Sequence, residues 1–361
     1  MKRPRAGFSL IETLTVITVL LVLTAMILST VLSARDANRR AGCVNNLRQI
    51  GLALHAYHAA RNCYPLGVTA SLSPLGQSPT KPPGTPLDWS GWSPHAQLLP
   101  YLGQTPVYNA INFDFDPFAG QEVNNATAND WKINTFLCPA DHHAGTPSRG
   151  SMTNLNSYYG SIGINIQSEA HQATGIFAYQ ALCSERDVTD GLSSTLAFSE
   201  GITGDWRSRR YRGNGVINVG TKISDPATRD RLTAAKDTQL LMTNLDACNV
   251  AFEGIVGRTS YSGNRGWKWT WGSEGMTLFN TIIPPNSSNY GFNQCRFDCQ
   301  GCFLQDADHS DITNASSYHP GGANALFCDG TVRFVKGTIA MPTWWALGTR
   351  SGGEAVSSDG Y

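Results

Sequence analysis

The chain has 361 residues, and its 27 Lys+Arg balance 27 Asp+Glu, so the formal net charge is zero. That balance excludes a protein built around a phosphate backbone, and no nucleic-acid partner is expected. Hydrophobic residues at 41% suffice for a real core, and Gly 36 and Pro 18 are too few for a collagen-like or low-complexity chain. Nine cysteines are an odd number, so at least one thiol stays free or pairs between chains if the rest pair.

The first element is a basic start, Met1-Lys2-Arg3-Pro4-Arg5, followed by a run from Thr13 to Ala34 that has no charge. About 22 residues at ~1.5 Å each are enough to cross a ~30 Å hydrocarbon core. Thr15, Thr18, Thr24 and Thr30 fit such a helix because a hydroxyl can bond a carbonyl one turn back. The run is longer than the apolar stretch of an ordinary cleaved secretory peptide. Between the basic start and the apolar run lies Gly7-Phe8-Ser9-Leu10-Ile11-Glu12. This hexapeptide resembles the type IV prepilin processing site, which type II secretion pseudopilins share. The resemblance implies cleavage after Gly7 by a prepilin peptidase, N-methylation of Phe8 and Glu12 as the fifth mature residue. It further implies that Glu12 meets the N-terminal amine of a neighbouring subunit. A carboxylate inside an apolar span costs about 2.5 kcal/mol or more without a partner. Basic residues flank the span on both sides, so charge alone does not orient it. The resemblance does, because the peptidase acts on the cytoplasmic face.

The helical pattern continues beyond the span. Ala41, Val44, Leu47, Ile50, Leu54 and Tyr57 recur at spacings of three and four, and Asn62 and Pro65 end the pattern. A helix from Phe8 to about Arg61 would be ~80 Å long. The segment from Cys43 to His58, with Asn46 and Gln49 within it, resembles a large bacterial family of unknown function, abundant in planctomycetes, whose members have a prepilin-type start. His55 and His58 share a face at i, i+3, but two ligands do not make a zinc site and no metal is expected there.

Ser71–Pro86 reads as an exposed Pro/Gly/Ser-rich loop. Cys138-Pro139-Ala140-Asp141 resembles an element of the same family. Short β-like runs follow at Tyr158–Ile166, Gly175–Ala178 and Ser194–Ser199. Glu200 has a family counterpart and reads as a buried salt bridge or turn bond. Arg207–Arg212 reads as a solvated loop. Trp267-Lys268-Trp269-Thr270-Trp271 alternates as a strand with one aromatic face, suited to core packing or to stacking a sugar. Cys295, Cys299 and Cys302 have a spacing that also serves iron–sulfur clusters, but in an oxidising compartment they form disulfides. Their partners, and those of the other six cysteines, cannot be read from sequence. Asp306, Asp308 and Asp311 are oxygen ligands suited to Ca²⁺, although the loop lacks the Gly and terminal Glu of a helix–loop–helix site and reads first as a solvated turn.

At the C-terminal end, Ala323–Cys328 and Thr331–Val335 are joined by Asp329-Gly330, a hairpin signal in which Gly330 takes positive φ. Nine residues separate His319 from Asp329, and this His-x9-Asp-Gly pattern resembles the C-terminal domain of the family named above. With no nucleophile at a telling spacing, Asp329 is expected to make the turn and His319 to brace the neighbouring loop.

Together these readings predict a pilin-like α+β protein. Residues 1–7 are a leader, 8–34 a transmembrane helix, 35–64 its amphipathic continuation, and 65–361 an antiparallel β-rich domain with large loop insertions and a hairpin at about 317–336. The expected role is a pseudopilin-like structural subunit of a type II secretion or type IV pilus-like assembly, or of the envelope surface. It would be single-pass in the bacterial inner membrane with its domain extracytoplasmic. The expected partners are the prepilin peptidase/N-methyltransferase, other pilin-like subunits and the bilayer. Neither enzymatic activity nor a cofactor is expected. The alternative is a tethered carbohydrate- or solute-binding protein using Trp267–Trp271.

Overall fold

The computed structural model describes residues 9–72, 86–87, 90–118, 122–144, 155–166, 173–219, 238–254, 260–297, 311–354 and 356. Gly7 and Phe8 therefore lie outside the described residues, as do Cys299, Cys302, Asp306 and Asp308 and most of the Ser71–Pro86 loop.

The first element is one unbroken helix, α1 (Leu10–Arg61), 52 residues long. At ~1.5 Å per residue it extends roughly 78 Å. Its apolar half stands in the open: Leu10 is 85% and Leu21 64% exposed. β-Branched residues are modest helix formers in water, but in hydrocarbon a helix is what satisfies every backbone group within the segment. Hydroxyls add to that ladder, with Thr18 Oγ1 donating to Leu14 O at 2.8 Å and Thr24 Oγ1 to Leu20 O at 2.8 Å. Asn62 ends the helix in the left-handed conformation (φ 57°) and donates its N–H to His58 O.

Beyond α1 come a two-residue antiparallel pair, β1 (Ser71–Leu72) with β2 (Pro86–Leu87), and short helices α2 (Pro94–Leu98), α3 (Thr105–Asn109) and α4 (Ala126–Asn129). The remaining elements are β3 (Tyr158–Ser161), β4 (Leu196–Glu200), β5 (Gly215–Val219), α5 (Thr238–Phe252), β6 (Ser260–Ser262), β7 (Leu278–Phe279), β8 (Gln294–Phe297), β9 (Asp311–Thr313), β10 (Gly322–Phe327), β11 (Val332–Lys336) and α6 (Met341–Gly348). They form a five-stranded sheet, β11-β10-β4-β3-β7, and a four-stranded sheet, β6-β5-β8-β9.

The five-stranded sheet is covered on both faces. Along β10, Leu326 joins the core formed with Leu47, Ile50 and Leu54 of α1, while Ala325 and Phe327 join Trp344 and Leu347 of α6. This is the period-two alternation of a strand. Each large apolar side chain taken fully from water on the α1 face adds about 1.5–3 kcal/mol. A second core joins α5 to the four-stranded sheet through Leu245, Phe252, Phe297 and Ile312.

Three expectations need correction. The sheets are mixed, because β3 pairs parallel with β7 and β5 parallel with β8. Parallel neighbours need long crossovers, and the intervening insertions supply them. Gly175–Ala178 forms no strand; its N–H groups reach Ile162 O and Ser161 O irregularly. Residues 267–271 are not a strand either. Trp269 and Trp271 are both fully buried, Trp269 donating Nε1–H to Trp131 O and Trp271 stacking on Phe118 at 4.2 Å.

Candidate functional site

The site grows from one face of α1. Cys43, Asn46 and Gln49 stand three residues apart and therefore share a face one turn after another. All three grip the same segment, residues 135–138. Cys43 is disulfide-bonded to Cys138. Asn46 Nδ2 donates to Leu137 O at 2.9 Å, and Gln49 Oε1 accepts from Thr135 Oγ1 at 3.2 Å. The approach is so close that a Cβ on Gly42 would lie 3.0 Å from the Pro139 ring. The motif positions of the helix are thus a staple that fixes the anchor to the domain.

Asp141 continues this tie. It is buried, its Oδ2 accepts Thr203 N–H at 2.8 Å and its Oδ1 accepts His143 N–H at 3.1 Å. Burial pushes its carboxyl above the ordinary range, against those hydrogen bonds. Glu200, at the end of β4, is 1% exposed. Its two oxygens accept Asn324 N–H at 2.8 Å and Asn324 Nδ2–H at 2.9 Å, and His319 Nε2 stands 3.3 Å from Oε1. Glu200 is buried as expected, held by Asn324, and the His319 ring stands beside it. The Sγ atoms of Cys43 and Cys138, a carboxylate oxygen of Glu200 and a ring nitrogen of His319 all lie within 4.8 Å of one another. Four positions from distant parts of the sequence meet at this point. Above it opens a cleft of about 410 Å³ between Arg39 and Arg40 of α1, His142, and Tyr318 with His319.

The remaining motif residues lie elsewhere. Asp329 makes the hairpin turn, its Oδ1 accepting Thr331 N–H at 2.9 Å and Thr331 Oγ1–H at 2.6 Å. Gly330 has φ 82°, which favours glycine. His58 Nδ1 lies 3.5 Å and His55 Nδ1 4.0 Å from the same Glu185 oxygen, so the helix pair faces a carboxylate. Glu12 Oε2 accepts Ser9 N–H at 2.9 Å, closing the start of its own helix. Asp311 does not sit on a solvated turn. It is a buried residue of β9 and accepts Gln294 Nε2–H at 2.7 Å. Cys295 pairs with Cys248, and among the described residues Cys63, Cys183 and Cys328 are free thiols. Burial pushes the Cys183 thiol up to about 11, which keeps it unreactive.

Asn324, Tyr158 and Gly42 escaped sequence reasoning. The signal for Asn324 was present, a polar residue inside the apolar strand Gly322–Phe327 that needs a buried partner. Tyr158 had no such mark, yet its hydroxyl donates to Cys43 O at 3.4 Å.

Residues 2–28 match the prokaryotic N-terminal methylation motif. With a helix long and apolar enough to cross a membrane, this defines a membrane-anchored, pilin-like protein processed by a prepilin peptidase. Residues 32–341 match the family described as protein of unknown function (DUF1559), and the chain belongs to that family. No curated protein and no solved structure matches the chain.

Proposed function

We propose that this protein is a pseudopilin-like structural subunit, held in the inner membrane by residues 8–34 with its mixed α+β domain on the outer side. It works in a type II secretion or type IV pilus-like assembly or at the envelope surface. The observation that carries this reading is the division of α1. Its apolar half is uncovered by the chain's own domain, while the half from Cys43 onward is covalently and sterically fixed to it. An apolar rod of that length has to be covered by lipid or by the same rod of neighbouring copies. Because the helix is continuous, any register set between rods passes directly to the domain.

Glu12 supplies the register. Among the described residues its carboxylate accepts one backbone N–H, from Ser9. The positive amine that prepilin processing creates on a neighbour would compensate the charge where water is absent. Photo-crosslinking from Val19 and Val22 in intact membranes tests the proposal. The wild type should give multimer ladders, and Glu12→Ala should insert and be cleaved normally but lose most of the ladder. Ladders unchanged in Glu12→Ala would remove the register role, and a wild type that crosslinks only to lipid would overturn the subunit role.

The binding alternative is less favoured, because Trp269 and Trp271 are core residues and of the three tryptophans only Trp267 is part-exposed.

A further inference from the structure

The four-residue cluster beneath the juxtamembrane cleft has a chemistry that a purely structural subunit does not require. We propose that it is a redox-gated zinc site. With the Cys43–Cys138 bond formed it is a closed disulfide, and with that bond reduced it binds one Zn²⁺ through Cys43, Cys138, His319 and Glu200. The inference goes beyond the structural role and does not depend on it.

Three observations carry it. First, the donor set is complete, since two thiolates, one imidazole nitrogen and one carboxylate oxygen are all accepted zinc ligands and four is the number a structural site needs. The four atoms already lie within 4.8 Å of one another. Second, the spacing fits. Tetrahedral zinc with bonds of about 2.0–2.1 Å to nitrogen and oxygen holds those two atoms about 3.3 Å apart. The His319 Nε2 to Glu200 Oε1 distance is 3.3 Å. Two sulfurs at about 2.3 Å from the same ion would stand about 3.8 Å apart, so reduction must let the sulfurs separate and draw in to the His319 and Glu200 atoms. Third, His319 Nε2 is buried and makes no aligned hydrogen bond, despite its nearness to Glu200. A ring nitrogen left in that state is costly unless a further partner is available to it.

The surroundings suit a ligand site. Asn324 holds Glu200 through two hydrogen bonds, the outer-shell support that ligating carboxylates use. The backbone N–H of His319 donates to Ser317 Oγ at 3.0 Å, which fixes the loop that presents the ring. The cleft reaches His319 from solvent and gives an ion a way in.

The chemistry balances as follows. A dithiol reductant delivers two electrons and two protons, the Sγ–Sγ bond breaks, and the reductant becomes a disulfide. Zn²⁺ then displaces the two thiol protons to solvent and binds the thiolates. A disulfide oxidant reverses this: it takes two electrons from the two thiolates and two protons from solvent and becomes a dithiol, the Sγ–Sγ bond re-forms, and the ion loses two ligands and is released.

The test uses the full chain in detergent, dialysed against buffered Zn²⁺ alone, oxidised or reduced under anaerobic conditions, with bound zinc measured by mass spectrometry. The reduced protein should hold one more zinc per chain than the oxidised protein. Cys43→Ser should lose that equivalent, and His319→Ala, which leaves the disulfide pair intact, should lower the affinity at least ~10-fold. Co²⁺ in place of zinc should give thiolate charge-transfer absorption in the wild type, weakened in His319→Ala. Equal zinc uptake by oxidised and reduced protein overturns the proposal. So does equal affinity in wild type and His319→Ala, which would assign the metal to other thiols.

Discussion

Removing the covalent tie between anchor and domain should be the most damaging small change to this molecule. The double variant Cys43→Ala/Cys138→Ala opens a bridge between positions 95 apart in sequence. The chain-entropy relation for a loop of that size gives about 4.7 kcal/mol at 25 °C, at the upper end of the ~2–5 measured when native bridges are removed. Both sulfurs are buried, so the alanines also leave lost contacts. Asn46 and Gln49 still grip residues 135–137, so the helix should stay docked while the domain's reserve of stability falls. Urea unfolding in detergent, followed by tryptophan fluorescence, reads this directly. Trp92 and Trp269 belong to the same core cluster as Cys43. A loss of about 3–5 kcal/mol with unchanged membrane localisation is expected. A loss below about 1 kcal/mol would refute the argument that this staple holds the anchor to the domain.

Two further perturbations test other parts of the account. Gly330→Ala places a side chain at φ 82° and 3.0 Å from His55 Nε2, so the hairpin should lose about 1–2 kcal/mol, measured as a lowered urea midpoint. His95 is fully buried between Phe136 and Phe198, with Nε2 at 2.7 Å from Tyr158 O, and burial lowers its pKa from 6.5 to about 4. The unfolded histidine takes up its proton near pH 6.5 and the folded one only near 4, so its contribution is full above pH 6.5 and lost as pH falls through 4. At 1.36 kcal/mol per unit the loss is about 3 kcal/mol, and His95→Gln should flatten the stability profile across that window. A profile equally steep in the variant would show that His95 does not set it.

Local signals made the ends of the fold legible. The apolar run, the stripe through Leu47, Ile50 and Leu54, and Asn62 with Pro65 placed α1 within two residues at its start and at Arg61. Asp329-Gly330 placed the hairpin between β10 and β11. Contacts between distant residues were not legible. Cys43 meets Cys138, and Glu200 meets Asn324, across stretches that no local spacing encodes. The Trp267–Trp271 alternation misled because Lys268 to Trp271 are all buried, so core packing rather than a pleat determines those positions. The parallel pairs β3·β7 and β5·β8 depend on insertions whose composition resembles plain loops. The motif residues were recognised one by one from family resemblance. That Cys43, Cys138, Glu200 and His319 meet beneath a single cleft follows only from the fold.

The central claim is that a processed apolar helix plants this protein in a bilayer. Intact-mass and N-terminal analysis of membrane-extracted protein tests it most directly. The account requires a chain that begins at Phe8 with a methylated amine and leaves the membrane only in detergent. Freely soluble protein with Met1 to Gly7 still attached would contradict it.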